Sequence, residues 1–130
     1  MSLTDYVDDV QHIGIPTTDL TQSIAFWSSL GFTKVGQFKN GEGQVAFMRL
    51  NHLTIETWTM AETPMRPGAI NHISLNTTDA DKTFATVKAA AFKLIDQHVQ
   101  SLPFWEHGIK YFNIEGPNGE IVEFCEIVKG

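Results

Sequence analysis

His12-Ile-Gly-Ile-Pro-Thr-Thr-Asp19 returns as His72-Ile-Ser-Leu-Asn-Thr-Thr-Asp79, a shift of 60 positions (72 − 12). The register continues past the motif through apolar positions: Leu20/Ala80, Ile24/Phe84, Trp27/Val87, Leu30/Ala90, Phe32/Phe92 and Val35/Ile95. Each copy closes on a strand-like stretch carrying one glutamate, Ile55-Glu56-Thr57-Trp58 and Val122-Glu123-Phe124-Cys125. The chain is therefore read as one unit written twice.

Working outward from the motif, Val10 to Pro16 alternates as a strand, with His12 and Gly14 on one face. Asp19 is placed to cap a helix, with Gln22 three residues on. Leu20, Ile24, Trp27 and Leu30 recur at helical spacing, and Gly31 is placed to end that helix. Phe32–Phe38, Gln44–Leu50 and Leu53–Met60 read as strands, with turns at 39–43 and at Asn51-His52. The second copy predicts a strand over Ile70–Asn76, a helix over Asp79–Ala91, a strand over Phe92–Asp96 and a loop over Pro103–Gly108. A hairpin of Lys110–Glu115 and Ile121–Val128 follows around Gly116-Pro-Asn-Gly119. Each half is thus β-α-β-β-β, which makes the fold class α+β: two four-stranded mixed sheets, each with a helix on one face, lining a shared concave cleft.

Length and composition bound the rest. At 130 residues the chain has the size of one domain, with modules over about 8–60 and 69–128 and a Pro/Gly-containing linker over 61–68. A half of about 60 residues buries only roughly 60% of its unfolded surface, so the halves are expected to share a core or an interface. The net charge of −6 argues against nucleic acid as a partner. No apolar run approaches the roughly 18 residues of a membrane span. No signal-peptide pattern opens the sequence, and the lone Cys125 has no internal disulfide partner. A cytoplasmic protein is the expectation.

Strand alternation puts Thr54, Glu56 and Trp58 on one face, His72 with Ser74 on another, and Glu123 with Cys125 on a third. A glutamate in an otherwise apolar strand calls for a cation. Taken singly, a strand histidine is more often structural, and a strand glutamate more often solvated. Four such residues at equivalent places in two copies, His12, Glu56, His72 and Glu123, set a metal site beside those readings. Two imidazoles and two carboxylates without a thiolate suit Ni²⁺, Co²⁺, Mn²⁺, Fe²⁺ or Zn²⁺ with open positions rather than a closed structural zinc. An open metal polarises a carbonyl, and a neighbouring glutamate moves the proton. Phe47, Trp58 and Tyr111 are candidates to line the cleft or to fill the core. His52 and His98 fall outside the repeat, and His98 is expected to be exposed. Phe104, Trp105, Glu106 and His107 form an aromatic loop, read as tucked on the core in preference to a lid over substrate. Cys125 is read as a small hydrophobe or a neighbour of the site.

Three groups of residues together resemble the vicinal-oxygen-chelate superfamily, the glyoxalase I / bleomycin-resistance / extradiol-dioxygenase group. They are His12-Ile-Gly-Ile…Asp19-Leu…Phe26-Trp27…Leu30-Gly31-Phe32, His72-Ile-Ser-Leu…Asp79, and Gly116-Pro-Asn-Gly119…Val122-Glu123-Phe124. The resemblance covers about residues 10–128. It implies paired βαβββ modules, commonly in a homodimer, with His12, Glu56, His72 and Glu123 as the metal ligands of a glyoxalase I-like lyase. Glu123 is then the favoured base and Glu56 the second catalytic carboxylate. The chain departs from glyoxalase I at Pro16 and Met60, where that enzyme carries an arginine and an asparagine for its thiol cofactor. The resemblance therefore implies proton transfer on a chelated α-hydroxycarbonyl or thiohemiacetal small-molecule substrate without the glutathione-specific residues. Its alternatives are a non-catalytic antibiotic-binding protein, an Fe²⁺ extradiol-type dioxygenase and a phosphonate-modifying thiol transferase.

Overall fold

The structure is a computed structural model that describes residues 2–130. The chain divides between Thr63 and Pro64 into two compact units, inside the segment expected to link the copies.

The first unit contains β1 (Ile13–Thr17), α1 (Leu20–Ser29), β2 (Thr33–Asn40), β3 (Gly43–Leu50) and β4 (Leu53–Thr59), preceded by a 3-10 turn at Leu3–Asp5. Its sheet runs β1-β4-β3-β2, with β1 parallel to β4 and the other pairs antiparallel. Trp27 and Leu20 of α1 are buried with Ala46, Met48 and Ile55 of the sheet and with Phe32. Trp27 meets Phe26 and Phe32 edge to face at about 5 Å.

The second unit contains β5 (Ile73–Asn76), α2 (Ala80–Ala89), β6 (Lys93–Leu94), β7 (Gln100–Leu102), β8 (Ile109–Glu115) and β9 (Ile121–Ile127). Its sheet runs β5-β9-β8-β6, again with the first pair parallel, and β7 also pairs with β8. Phe112 stacks on Phe124 at 5.0 Å and takes the edge of Phe84 from α2 at 5.1 Å, beside buried Ile114, Val122 and Val87. The α+β class and the repeated mixed sheets of the sequence reading are what the structure has.

Two strand starts and one sheet edge differ from expectation in ways that bear on the site. The first strand begins at Ile13, not Val10, and the fifth at Ile73, not Ile70. The registers Ile13↔Ile55 and Ile73↔Val122 would set Val10 opposite the His52 turn and Ile70 opposite Gly119, where no ladder exists. Both histidines therefore stand just ahead of their strands. The second sheet has five strands, because the edge equivalent to β2 is broken into β6 and β7. Where it breaks, Asp96 Oδ2 accepts from the backbone N–H of Asn113 at 2.7 Å and from its Nδ2 at 2.9 Å, replacing a strand carbonyl.

The Thr-Thr-Asp half of the repeated motif is structural. Asp19 Oδ1 accepts from Gln22 N–H and Asp79 Oδ1 from Lys82 N–H, both at 3.0 Å. The hydroxyls of Thr17 and Thr77 each accept from the aspartate N–H and meet Ser23 and Thr83 on the helix. At the other helix end Gly31 turns at φ +101, whereas its repeat partner Ala91 adopts φ +62 with a Cβ in place. Ala91→Gly should therefore stabilise the protein by about 1 kcal/mol in urea unfolding. A loss of stability would mean that the Ala91 methyl contributes packing that outweighs the strain.

Glu120 folds back over the Gly116–Gly119 turn. Its Oε1 accepts from Asn118 N–H at 2.6 Å, and its buried Oε2 has no hydrogen-bond partner. Burial pushes its pKa up, against the opposing pull of the hydrogen bonds from its own and the Asn118 backbone. The folded state thus holds this proton more tightly than the unfolded chain does. The resulting stability is complete below the ordinary glutamate range and is lost as pH rises through the raised value. Glu120→Gln should therefore raise the denaturant midpoint near neutral pH, and the gain should vanish at about pH 4. An equal gain at both pH values would assign it to packing rather than to charge.

Candidate metal centre

In the first unit, β1 and β4 lie side by side with Gly14 opposite Glu56. His12, immediately ahead of β1, points its Nε2 at Glu56 Oε1 across 3.5 Å, both side chains part-exposed. Phe47 lies opposite Glu56 on β3 and takes His12 edge to face at 6.0 Å, and Phe38 packs on Phe47 at 6.2 Å. Trp58 lies over Gly14: a Cβ there would be 3.0 Å from Cζ3 and 3.2 Å from Cη2 of the indole. Glycine is what lets the indole come this close to β1 beside Glu56.

The second unit repeats the register with different neighbours. Ser74 stands where Gly14 stood, opposite Glu123, and Cys125 where Trp58 stood. The Ser74 hydroxyl donates to Glu123 Oε1 at 2.6 Å. Asn113 lies opposite Glu123 on β8, and Tyr111 opposite Cys125. His72 precedes β5 on the face of Ser74. Burial, then the charges of Glu123 and Glu126, push the Cys125 thiol up, which leaves little thiolate at neutral pH.

Outside the expectation are the partners of the histidines. His12 Nδ1 bonds the side-chain oxygen of Gln11, and His72 Nδ1 bonds Asn71 Oδ1 at 2.9 Å. The signal was in the sequence: the repeat begins one residue earlier than its identities, with an amide side chain before each histidine. Ser74 was legible only as an apparent mismatch with Gly14.

Among the described residues no group of three or more His, Cys, Asp or Glu side chains gathers as a ready cage. The opposed donors are those of the first unit. Their separation is one that two ligands of a single ion at about 2.0–2.2 Å span, and imidazole with carboxylate is a donor set for the mid-row divalent metals. The residues present fit such an ion.

The remaining candidates sit elsewhere. His52 is at the β3–β4 turn and His98 in the β6–β7 connection, both exposed. Phe104 and Trp105 are 53% and 75% exposed, so the reading of a loop tucked on the core is corrected. This loop joins antiparallel β7 and β8, and its His107 lies against the C-terminal Gly130 while the Phe104 and Trp105 side chains stay in solvent. It lies four residues of β8 beyond Asn113, about 13 Å. With His107, Lys110 and Val128 it lines a groove of about 610 Å³. No helix among the described residues is long and apolar enough to cross a membrane.

Residues 11–111 match the Glyoxalase/Bleomycin resistance protein/Dioxygenase superfamily. An uncharacterized protein of Bacillus subtilis (strain 168), YwbC, is 29% identical over 125 residues, covering 90% of this chain and 96% of that protein. A glyoxalase family protein from Bacillus cereus superposes with a TM-score of 0.75 at 17% identity, covering 99% of this chain and 100% of that one. The fosfomycin resistance protein FosX from Listeria monocytogenes, in complex with Mn(II) and sulfate, gives 0.73 at 13% identity, with 94% of each chain covered.

Proposed function

Because this chain belongs to the glyoxalase/bleomycin resistance protein/dioxygenase superfamily, we propose that it is a metal-dependent lyase or isomerase. It transfers a proton between adjacent carbons of an α-hydroxycarbonyl or thiohemiacetal. The observation that carries this reading is the His12–Glu56 pair, whose nitrogen and oxygen face each other at 3.5 Å on an open strand face. His12 and Glu56 of the first unit, and His72 and Glu123 of the second, are the residues proposed as ligands of a Ni, Co, Zn, Mn or Fe ion. When bound, that ion supplies polarisation of the substrate carbonyl.

The chain's own groups do the rest. Glu123 takes the proton from the carbinol carbon and returns it to the neighbouring carbon, while the hydroxyl proton passes to the neighbouring oxygen, so atoms balance and no redox partner is needed. Ser74 fixes Oε1 of that carboxylate, which leaves Oε2 to carry the proton. Phe47 and Trp58 offer aromatic faces to the apolar part of the substrate, with Tyr111 on the Glu123 face. Pro16 and Met60 favour a thiol other than glutathione. A cytoplasmic homodimer is part of the proposal.

The test is elemental analysis of tag-free protein, followed by an activity screen with the metal found. The screen runs methylglyoxal adducts of several thiols beside fosfomycin. We expect one transition metal per chain and turnover of a thiol adduct. Fosfomycin is the weaker arm, because the basic side chains on these strand faces, Arg49 and Lys93, are tied to Thr54 and Glu115. Protein that takes up none of the five ions on reconstitution would overturn the proposal.

A further inference from the structure

Both histidines are held by the amide side chain immediately before them, Gln11 on His12 and Asn71 on His72. We propose that Gln11 and Asn71 are positioning residues that fix each imidazole with its proton on Nδ1 and its lone pair on Nε2, ready for a metal. This rests on the metal reading above.

The chemistry is directional. A neutral imidazole has one donor and one acceptor nitrogen, and an amide oxygen only accepts. The bond to Gln11 or Asn71 therefore places the proton on Nδ1, and the free lone pair belongs to Nε2. In the first unit that lone pair faces Glu56 Oε1 at 3.5 Å. Two acceptors facing each other repel unless a cation or a proton lies between them. The arrangement is thus set for a cation, and the amide bond prevents the alternative in which His12 rotates its own N–H toward Glu56.

The device occurs twice in the same place. Positions 11 and 71 carry different amides, Gln and Asn, on backbones that both enter a strand at the residue after the histidine. The longer glutamine and the shorter asparagine make the same Nδ1 contact. A chance surface contact has no reason to recur at the repeat interval.

Two readouts test this. In the metal-free parent, at a pH where the histidines are neutral, ¹⁵N-resolved NMR of the imidazoles should show two Nδ1–H rings, assigned by their loss in His12→Ala and His72→Ala. Gln11→Leu and Asn71→Leu should each return their neighbour to a tautomer mixture. Calorimetric titration with Co²⁺ should then show each leucine variant binding about 10–100-fold more weakly. Gln11→Glu and Asn71→Asp, which keep the acceptor oxygen, should restore affinity. Parent rings protonated on Nε2, or leucine variants with unchanged Co²⁺ affinity, would overturn the proposal. A parent that shows both Nδ1–H rings but binds no Co²⁺ retires the metal reading and leaves the positioning bonds standing.

Discussion

Alanine at both His12 and His72 should leave the chain folded and free of metal. The expected change is from one bound ion per chain to none detectable, read by elemental analysis after identical reconstitution. The fold should survive because both residues lie outside the cores: His12 and His72 are exposed ends that precede their strands rather than pair within them. Exposed substitutions of this kind usually fall within about 0.5 kcal/mol. Thermal melts separate the two effects. A bound ion at a hundred times its Kd adds about 2.7 kcal/mol of stability, so chelator should lower the Tm of the parent and leave that of the double variant unmoved. Equal metal content in parent and variant would remove the histidines from the site.

How far the sequence carried the fold depends on where its signals live. Period and capping are local, so both helices and their Asp19 and Asp79 caps were readable from residue type and spacing. The long central strands were readable because each buries one face: Ala46, Met48, Val122 and Phe124 alternate with more exposed neighbours. Strand ends are set by partners. Nothing at Val10 or Ile70 announces that the opposite strand has already turned. Nor does Gln100-Ser101-Leu102 carry an apolar stripe, since it is an edge piece that only a register with β8 defines.

The site divides in the same way. Residue identity at repeat-equivalent positions singled out His12, Glu56, His72 and Glu123. What the sequence left dark is how the two copies diverge around them. Gly14 under Trp58 and Ser74 beside Cys125 are compensated pairs. The large indole needs the missing Cβ, and the small thiol leaves room for a hydroxyl that reaches Glu123. The first copy therefore presents its glutamate to a histidine under an aromatic roof, and the second ties its glutamate to a hydroxyl. The surroundings of the two glutamates are thereby made chemically unequal, as the separate roles proposed for them require.

That inequality sets the last expectation. Glu123→Gln should lower kcat for the thiol adduct by about 10²–10⁴-fold, the range for loss of a general base, while the protein still takes up metal, more weakly. Glutamine keeps the size of the side chain and an oxygen to accept from Ser74, so neither packing nor the 2.6 Å hydrogen bond is sacrificed. What is removed is the carboxylate charge, which weakens metal binding, and with it the ability to hold a proton. Glu56→Gln is the matched control. Its carboxylate faces His12 rather than a hydroxyl, so its loss should appear mainly as weaker metal binding, with kcat largely recovered at saturating metal. Ser74→Ala completes the comparison: it frees Glu123 Oε1 without changing its charge, and should reduce kcat less than Glu123→Gln does. Unchanged turnover in Glu123→Gln would strike out the base. A kcat loss confined to Glu56→Gln would move the base to the first copy and make Glu123 a ligand alone.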